Sequence, residues 1–594
     1  MPPIYETDPG LKTQILANQF KDELPRPGVL RPTNRQGGTD RYEIELTEFQ
    51  QQVLPSDVYA DLQADGTTVW GYEGSFPGPT IEATPGDPVE VEYVVENLPP
   101  DYSGVLGNAV DENVHGAEPH EPVDDWTATR IVTHLHGGVV RPVDDGYPEA
   151  WVNQKGFTAE HFGLDSPVDY KQTKEYPNDQ QPGTLWYHDH ALGSTRINVY
   201  TGLAGFYLLR DRLENQLPNR RYEVPIVIQD RTFDANGGLF YPPGDDNDYE
   251  PEFAGDIPVV NGKAYPKLTV EPRTYRLRFL NGSNGQTFNL QLFNETAGSD
   301  TDVPVMKQIG VDLGFLDDVV PVGPGQTVDS LLLSGAERAD TIVDFSDFAG
   351  QSFLLKNDAE YPYAGENSGP GIASMGDIMR IEVEERGSRG DSIDIRLPRF
   401  LDQINQKYPD PEVEETDVVR THSLDSAGLN VDGVTYDSHF LNASLWSEED
   451  AIVNPQLGTS EEWELYNTTP DSHPIHLHLV DFEVLERQSF EWGGEEGGET
   501  EYQDAVMEAV NNPDDPNVDK PNVKDYTSLV EGTVTLPNPN NATNKDTVLV
   551  NPLEVVRIEP AFTGYEGLYA WHCHILEHED QEMMLPYEVV DENG

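Results

Sequence analysis

The residues with the clearest chemical potential lie in one stretch near the C-terminal end, residues 571–584. This stretch contains the only cysteine of the 594 residues, Cys573, together with His572, His574 and His578. On a strand, successive side chains alternate faces, so His572 and His574 point to one side and Cys573 to the other. One Cys, two His and a weakly bound Met are the ligands of a copper centre that transfers single electrons. The stretch therefore predicts such a centre at Cys573, completed by His578, a methionine and a histidine from elsewhere.

Three further motifs supply histidines. They are His134-Leu135-His136, His188-Asp189-His190 and His473-Pro474-Ile475-His476-Leu477-His478. His473 and His578 go with Cys573, and the other eight histidines of these motifs form four His-x-His pairs. On a strand, both rings of a pair face one side, about 6.6 Å apart. A single His-x-His motif on a strand more often has no metal-binding role. A structural zinc site usually needs more cysteines than the one in this chain. Eight imidazoles without a carboxylate suit copper, at two or three per ion for about three ions.

An internal repeat relates the two ends of the chain. His134-Leu135-His136 matches His476-Leu477-His478, and residues 186–190 match residues 570–574. The later copy has His473, Cys573, His578 and Met583 where the earlier copy has Ile131, Asp189, Ser194 and Val199. The earlier copy has therefore lost every ligand of the Cys573 centre, and only one such centre is expected.

The chain reads as all-β. Gly (52) and Pro (47) separate short runs rich in Val, Thr, Tyr and Phe, which is typical of sandwiches or barrels. Residues 1–70 are predicted to be an extended lead-in, 111–125 an acidic insertion and 386–392 a linker. Residues 212–390 contain no histidine and are expected to be a structural spacer. Residues 491–546 are predicted to form a mobile acidic loop or, alternatively, a lid over the substrate site.

The net charge of −70 argues against nucleic acid as a partner, because phosphate binding needs a positive surface. It favours a halophilic surface, since high salt screens self-repulsion. No run of 18 apolar residues predicts a membrane span, and a single Cys excludes intramolecular disulfides. The first residues lack the features of a signal peptide. We expect a soluble protein of a high-salt organism, with export after leader removal slightly favoured over the cytoplasm because copper must be loaded.

The motifs resemble those of the multicopper oxidases. The resemblance is strongest to three-domain laccases of the bacterial spore-coat type, through residues 134–138, 145–151 and 572–584. It covers most of the chain and implies three consecutive cupredoxin-like Greek-key β-barrel domains with four copper ions. We place these domains at residues 1–211, 212–390 and 391–594.

The resemblance also implies the ligands. The type 1 copper takes His473, Cys573, His578 and axial Met583; the type 2 copper takes His134 and His476; the type 3 pair takes His136, His188, His190, His478, His572 and His574. Electrons would pass from Cys573 to His572 and His574. Glu579 and Asp145 are implied as proton relays, although either carboxylate could instead be a solvated group or a hydrogen-bond partner.

The predicted activity is that of a laccase-like oxidase of phenols and aromatic amines, acting as a monomer and reducing O2 to two H2O. Bilirubin oxidation and cuprous-ion oxidation are alternatives on the same scaffold, the latter disfavoured because only seven Met occur. A non-catalytic scaffold or copper store is the alternative of another class. We expect a dianionic substrate to be disfavoured by four acidic residues near the Cys573 centre, which are Glu577, Glu579, Asp580 and Glu582.

Overall fold

The computed structural model describes residues 5–107, 110, 114–117, 129–154, 170–242, 252–365, 375–385, 395–431, 434–446, 453–513 and 515–591. The predicted insertion at 111–125 lies outside these residues except for 114–117, and the predicted linker at 386–392 lies wholly outside them. The described strands form six sheets, two in each of three consecutive groups, here named the first, middle and third domains. Among the described residues, no strand of one domain pairs with a strand of another.

The first domain is a pair of sheets around one core. Its elements are α1 (Pro9–Ala17), β1 (Asn34–Gln36), β2 (Thr39–Gln51), α2 (Ser56–Leu62), β3 (Thr67–Tyr72), β4 (Gly78–Ala83), β5 (Val89–Val94), β6 (Thr133–His136), β7 (Lys171–Tyr176), β8 (Gly183–Asp189), α3 (Thr195–Thr201) and β9 (Ala204–Leu209). One sheet has the order β1-β2-β5-β7 with β3 on β2, and the other has the order β4-β9-β8-β6.

The prediction of an extended lead-in over residues 1–70 is wrong. β2 is an inner strand of the first sheet and runs parallel to β5. Tyr42, Ile44 and Leu46 alternate into the core, while the residues between them are charged and face outward. This alternation with period two is the ordinary signal of a half-buried strand.

The middle domain has the same two-sheet plan. Its strands are β10 (Glu223–Phe233), β11 (Leu239–Phe240), β12 (Ile257–Val260), β13 (Lys263–Ala264), β14 (Lys267–Val270), β15 (Thr274–Asn281), β16 (Phe288–Asn294), β17 (Met306–Gly310), β18 (Phe315–Val322), β19 (Leu331–Leu333), β20 (Arg338–Asp344), β21 (Ser352–Asn357) and β22 (Gly376–Val383). The sheet orders are β13-β12-β10-β15-β20-β17-β18, with β11 on β10, and β14-β22-β21-β16-β19.

β15 shows why a strand of this domain can be buried on both faces. Leu277 and Phe279 enter the apolar core. Arg276 and Arg278 alternate with them and are buried on the opposite face, where they pair with carboxylates. A buried guanidinium is tolerated only when its charge is compensated in this way.

The third domain carries the remaining elements. They are α4 (Leu397–Lys407), β23 (Glu414–Val431), β24 (Val434–Leu441), β25 (Thr459–Asn467), β26 (His473–Leu477), β27 (Asp481–Trp492), α5 (Glu499–Asn511), β28 (Thr527–Leu529), β29 (Thr547–Val550), β30 (Glu554–Phe562), β31 (Gly567–Cys573), α6 (Leu576–Gln581) and β32 (Met584–Val589). The sheets run β24-β23-β25-β30-β27-β28 and β29-β26-β31-β32. Short 3₁₀ helices lie at Pro142–Asp144, Arg212–Gln216, Arg220–Tyr222 and Val523–Asp525.

The prediction of a mobile acidic loop at 491–546 is wrong where α5 forms. Tyr502 and Val506 of this helix are buried in a cluster that includes Phe440. The hydroxyl of Tyr502 also donates to Asp425 at 2.8 Å. The acidic residues of the helix lie on its exposed face. The average composition of the segment is therefore polar, although the other face of the helix is apolar. The lid alternative stays a prediction.

The domain boundaries after residues 211 and 390 also stay predictions. The first falls between β9 and β10, and the second falls in residues that are not described. α4, which follows the second boundary, packs Phe400 edge-on against Phe315 of the middle domain. None of the helices in the described residues is long and apolar enough to cross a membrane.

Candidate metal centres

Each predicted histidine pair begins on a short strand: β6 contains both of its histidines, whereas β8, β26 and β31 contain the first and the second follows the strand. β6 lies antiparallel to β8, which places His134 opposite His188. β26 lies antiparallel to β31, which places His476 opposite His572. Because side chains alternate along a strand, the second histidine of each pair falls on the same face two residues later. The eight rings are all buried; they are those of His134, His136, His188, His190, His476, His478, His572 and His574.

The pairs of the first domain meet those of the third across the domain interface. The ring of His134 stacks on that of His478 with 3.9 Å between centroids. The ring of His136 stacks on that of His476 with 3.7 Å between centroids. Each stack joins one domain to the other, so neither domain alone can assemble the group.

Three ring nitrogens converge at the centre of this group. The Nε2 atoms of His190 and His572 are 3.1 Å apart, and Nε2 of His478 is 3.2 Å from each of them. Three imidazoles cannot satisfy one another at a single point, because each Nε2 is either a donor or an acceptor. A cation placed among them would accept all three lone pairs.

Other ring nitrogens of the group also have no hydrogen-bond partner within the described part of the chain. They are Nε2 of His134, His188 and His476, Nδ1 of His136 and His190, and both nitrogens of His574. Buried polar atoms without partners are costly. Burial lowers the pKa of His136, His188 and His476 well below the ordinary value, which keeps these rings neutral and their lone pairs free. Neutral imidazoles without a carboxylate in their midst fit copper.

The outer nitrogens of several rings are held by carbonyl groups. Nδ1 of His134 donates to the carbonyl of Asp145, Nδ1 of His188 to that of Asp189 at 2.8 Å, Nδ1 of His476 to that of Asp546 at 2.8 Å and Nδ1 of His572 to that of Cys573 at 3.0 Å. Such bonds fix the tautomer and turn the other nitrogen inward, as in metal sites generally.

Both predicted relay carboxylates contact the histidine group. Oδ2 of Asp145 lies 2.7 Å from Nδ1 of His478. Burial alone would raise the pKa of Asp145, but His478 and His134 outweigh it and lower that pKa. Oε2 of Glu579 lies 3.2 Å from Nδ1 of His572 and Oε1 lies 3.5 Å from Nδ1 of His190. Their role in proton transfer stays a prediction.

The Cys573 centre forms a second group. Sγ of Cys573 lies 3.6 Å from Nδ1 of His473 and 3.7 Å from Nδ1 of His578, and these two nitrogens are 3.2 Å apart. Burial raises the pKa of the Cys573 thiol well above its ordinary value, so a thiolate there needs a bound cation. Met583 packs in the same core cluster as Cys573, whereas Met584 belongs to a different cluster with Tyr147.

Two residues near His578 were not anticipated. The ring of His439 stacks on the ring of His578 with 3.8 Å between centroids. Oε1 of Glu252 lies 3.2 Å from Nε2 of His578, and burial, followed by the charge of Asp437, raises the pKa of Glu252 to about 8. Both are isolated residues far from His578 in the chain, so no motif could have indicated them.

The four acids expected to disfavour a dianionic substrate near Cys573 are all buried rather than exposed, and the substrate preference itself stays a prediction. Glu577 accepts from Tyr241 at 2.7 Å. Asp580 pairs with Arg196 at 3.0 Å, and Glu582 accepts from the backbone of Trp446. Glu579 faces the histidine group. The carboxylate next to the outer nitrogen of His578 is instead that of Glu252.

Comparisons with known proteins agree with this geometry. A family described as Multicopper oxidase matches residues 420–593. The chain is 37% identical to a laccase from Haloferax volcanii over 99% of this chain and 88% of the relative. It is 35% identical to a laccase from Bacillus subtilis over 96% and 99%. A multicopper oxidase from Pediococcus acidilactici superimposes with a TM-score of 0.65 at 23% identity, over 100% of this chain and 94% of that one, which shows the cupredoxin-like three-domain fold.

Proposed function

The chain belongs to the multicopper oxidases, and on this premise we propose that it couples four one-electron oxidations of phenols or aromatic amines to reduction of O2 to two H2O. It is an oxidase of the laccase-like kind. The activity in the printed names of its relatives supports this choice of substrates. The histidine groups of the structure fit the copper that the family binds.

We assign the ligands as the motifs imply. The type 1 set is His473, Cys573, His578 and Met583; the type 2 set is His134 and His476; the type 3 set is His136, His188, His190, His478, His572 and His574. The converging nitrogens and the close Sγ–Nδ1 distances support this division into two groups. Four copper ions per chain follow from it.

Copper in these two groups would supply one-electron chemistry at Cys573 and the reduction of O2 among the eight rings. The chain links the groups through adjacent residues, because Cys573 lies between His572 and His574 on one strand end. Burial of every ring excludes bulk water from the O2 site. Asp145 accepts from Nδ1 of His478, and Glu579 lies beside Nδ1 of His572, so both carboxylates lie at the edge of the group, where a proton relay would act.

The proposed partners are O2 and small reducing molecules, with the chain acting as a monomer. The charge of −70 and the similarity to a laccase of Haloferax volcanii support a high-salt setting, and export stays part of the proposal. Assays therefore belong in concentrated salt, where charge repulsion is screened.

The meeting of two histidine pairs from each terminal domain carries the proposal. The test is O2 uptake by the copper-loaded chain in high salt with phenols, aromatic amines, bilirubin and Cu(I). We expect an intensely blue protein that consumes O2 fastest with phenols or aromatic amines, and a colourless, inactive Cys573→Ser variant. A colourless native protein with full copper would overturn the assignment, and faster turnover of bilirubin or Cu(I) would replace the substrate class.

A further inference from the structure

The middle domain, which has no histidine, reaches the histidine group through Arg338 at the start of β20. The two terminal nitrogens of its guanidinium donate to the two carboxylate oxygens of Asp546 at 2.8 and 2.6 Å. Its Nε donates to the carbonyl of Thr184 in the first domain at 2.9 Å. Arg338 is completely buried. Through these hydrogen bonds it links the middle domain to both the first and the third.

Asp546, the partner of Arg338, also contacts the rings of His136 and His476. Its Oδ1 lies 3.3 Å from Nε2 of His136, and its carbonyl accepts from Nδ1 of His476 at 2.8 Å. These two rings, one from each terminal domain, are the pair that stacks at 3.7 Å with 15° between their planes. One aspartate therefore holds the outer edge of both rings.

His136 is oriented differently from the rings held by carbonyl groups. In His134, His188 and His476 the outer, bonded nitrogen is Nδ1. In His136 the outer nitrogen is Nε2, which faces Asp546, and Nδ1 has no partner in the described residues. Nε2 of His136 also lies 3.5 Å from the hydroxyl of Thr547, which itself donates to Asp546 at 2.9 Å. The carboxylate of Asp546 is thus the nearer contact, and it sets which nitrogen of His136 points inward.

The arrangement continues behind Arg338. The backbone N–H of Arg338 donates to Asp312 at 2.8 Å, and Lys545 pairs with both Asp312 and Glu337 at 2.8 and 2.7 Å. These groups are all buried. Buried ion pairs contribute little net stability, because desolvation offsets their attraction. We therefore expect these ion pairs to matter more for the positions of the side chains than for the free energy of unfolding.

We propose that Arg338, acting through Asp546, is a positioning residue that fixes the inward nitrogen of His136 and the stacked ring of His476 for copper binding. The middle domain is then part of the oxygen-reducing site rather than a spacer alone. The inference rests on the proposed assignment of both rings to copper.

The test compares copper-loaded Arg338→Met, Arg338→Lys and Asp546→Asn with the unaltered chain. Arg276→Met is the matched control, since Arg276 is also buried in the middle domain and donates to Asp340 at 2.9 Å and to Glu214 at 2.8 Å. Bound copper per chain is measured together with the blue absorbance, which reports the Cys573 centre alone. The blue protein is then bleached with a phenol without O2, and its recolouring in air is timed.

For Arg338→Met and Asp546→Asn we expect the blue band and its bleaching to persist. Copper outside the Cys573 centre should bind about 10–100-fold more weakly, and recolouring should slow to a similar degree, as for lost partners of metal ligands. Arg338→Lys should fall between, because lysine keeps the charge but not the two-pronged geometry. Arg276→Met should lower thermal stability and leave copper content and recolouring unchanged.

Full copper and normal recolouring in Arg338→Met and Asp546→Asn would overturn the inference while leaving the proposed function intact. Equal losses in Arg276→Met would also overturn it, because any buried ion pair would then have the same effect. If Arg338→Met does not fold, the similarly sized Asp546→Asn decides by the same readouts. An unaltered chain without blue colour or copper would instead contradict the proposed function.

Discussion

The first and third domains place different residues at equivalent positions of the same architecture. Cys573 ends β31, and Asp189 ends β8 at the matching position of the repeat. Both are completely buried, and burial raises the pKa of each side chain well above its ordinary value. Asp189 accepts hydrogen bonds from the amides of Val132 and Ala191 at 3.0 and 3.1 Å and from Asn198 at 2.7 Å.

Cys573 has no such set of donors. Its Sγ accepts from the amide of Ile575 at 3.4 Å and otherwise faces the nitrogens of His473 and His578. In the first domain these donors oppose the effect of burial on the pKa of Asp189. In the third domain we expect a bound cation to stabilise the thiolate of Cys573 instead. On the proposed function, the first copy is structural and the third-domain copy is redox-active.

The largest effect is expected when the third domain receives the residue of the first. Cys573→Asp should abolish the blue band and reduce O2 uptake to background, because the carboxylate finds neither the soft sulfur ligand nor the amide donors of Asp189. Absorbance and O2 uptake in high salt check this. A blue, active variant would show that the thiolate is dispensable and would break the comparison.

Two matching positions of the repeat also form an ion pair between the first and third domains. Asp580 of α6 matches Arg196 of α3 in the alignment, and Asp580 accepts from the guanidinium of Arg196 at 3.0 Å and from its backbone N–H at 2.9 Å. Arg196→Met should cost about 3–5 kcal/mol, because it leaves a buried carboxylate uncompensated. Denaturant unfolding of the metal-free chain measures the loss. A change below about 1 kcal/mol would mean that water reaches Asp580.

Glu577, also on α6, should make the free energy of unfolding depend on pH. The matching residue of the first domain is Gly193, so only the third domain buries a carboxyl there. Burial raises the pKa of Glu577 from 4.5 to about 7, with Asn284 and Tyr241 opposing that shift. The folded chain therefore holds a proton that the unfolded chain releases. Its stability should fall by about 3 kcal/mol as pH rises from about 4.5 to 7 and stay level above.

Glu577→Gln should remove that part of the pH dependence, because the amide carries no proton to lose. The measurement is the free energy of unfolding of the metal-free chain and of the variant between pH 4.5 and 8. Identical slopes for the two would show that Glu577 is ionised at no cost and would weaken this contrast between the domains.

A smaller effect is expected for Asp189→Asn. The amide keeps one acceptor oxygen but turns an NH2 group towards backbone donors, which should cost about 1–3 kcal/mol. The blue band should persist, because the change is confined to the first domain. Loss of the blue band with unchanged stability would contradict the structural role of Asp189.

The sequence predicted which residues would form the two groups but not the residues that contact them from outside. The proposed ligands occur in short motifs on strands, where alternation decides which rings share a face, and the structure places Cys573 beside His473 and His578 and the His572 ring beside His190 and His478. Asp546 is 410 residues from His136, and no local pattern records such a contact. His439 is a single histidine on β24, and its stacking on His578 depends on how the third domain folds.

The fold was predictable to a similar extent. Alternation and turn residues indicated an all-β chain, and the resemblance supplied the domain number. β2 and α5 were missed because polar and charged residues together make up more than half of each segment. In such a sequence, the spacing of the apolar residues, Ile44 or Val506 for example, indicates the strand or helix. The average hydrophobicity of the segment does not.

The central claim is that Cys573 joins two separate centres, and copper analysis of Cys573→Ser tests it most directly. We expect a folded variant that binds one copper fewer than the unaltered chain and keeps the copper proposed to bind at the eight histidines. Loss of all copper, or no loss, from a folded variant would contradict the division into two centres.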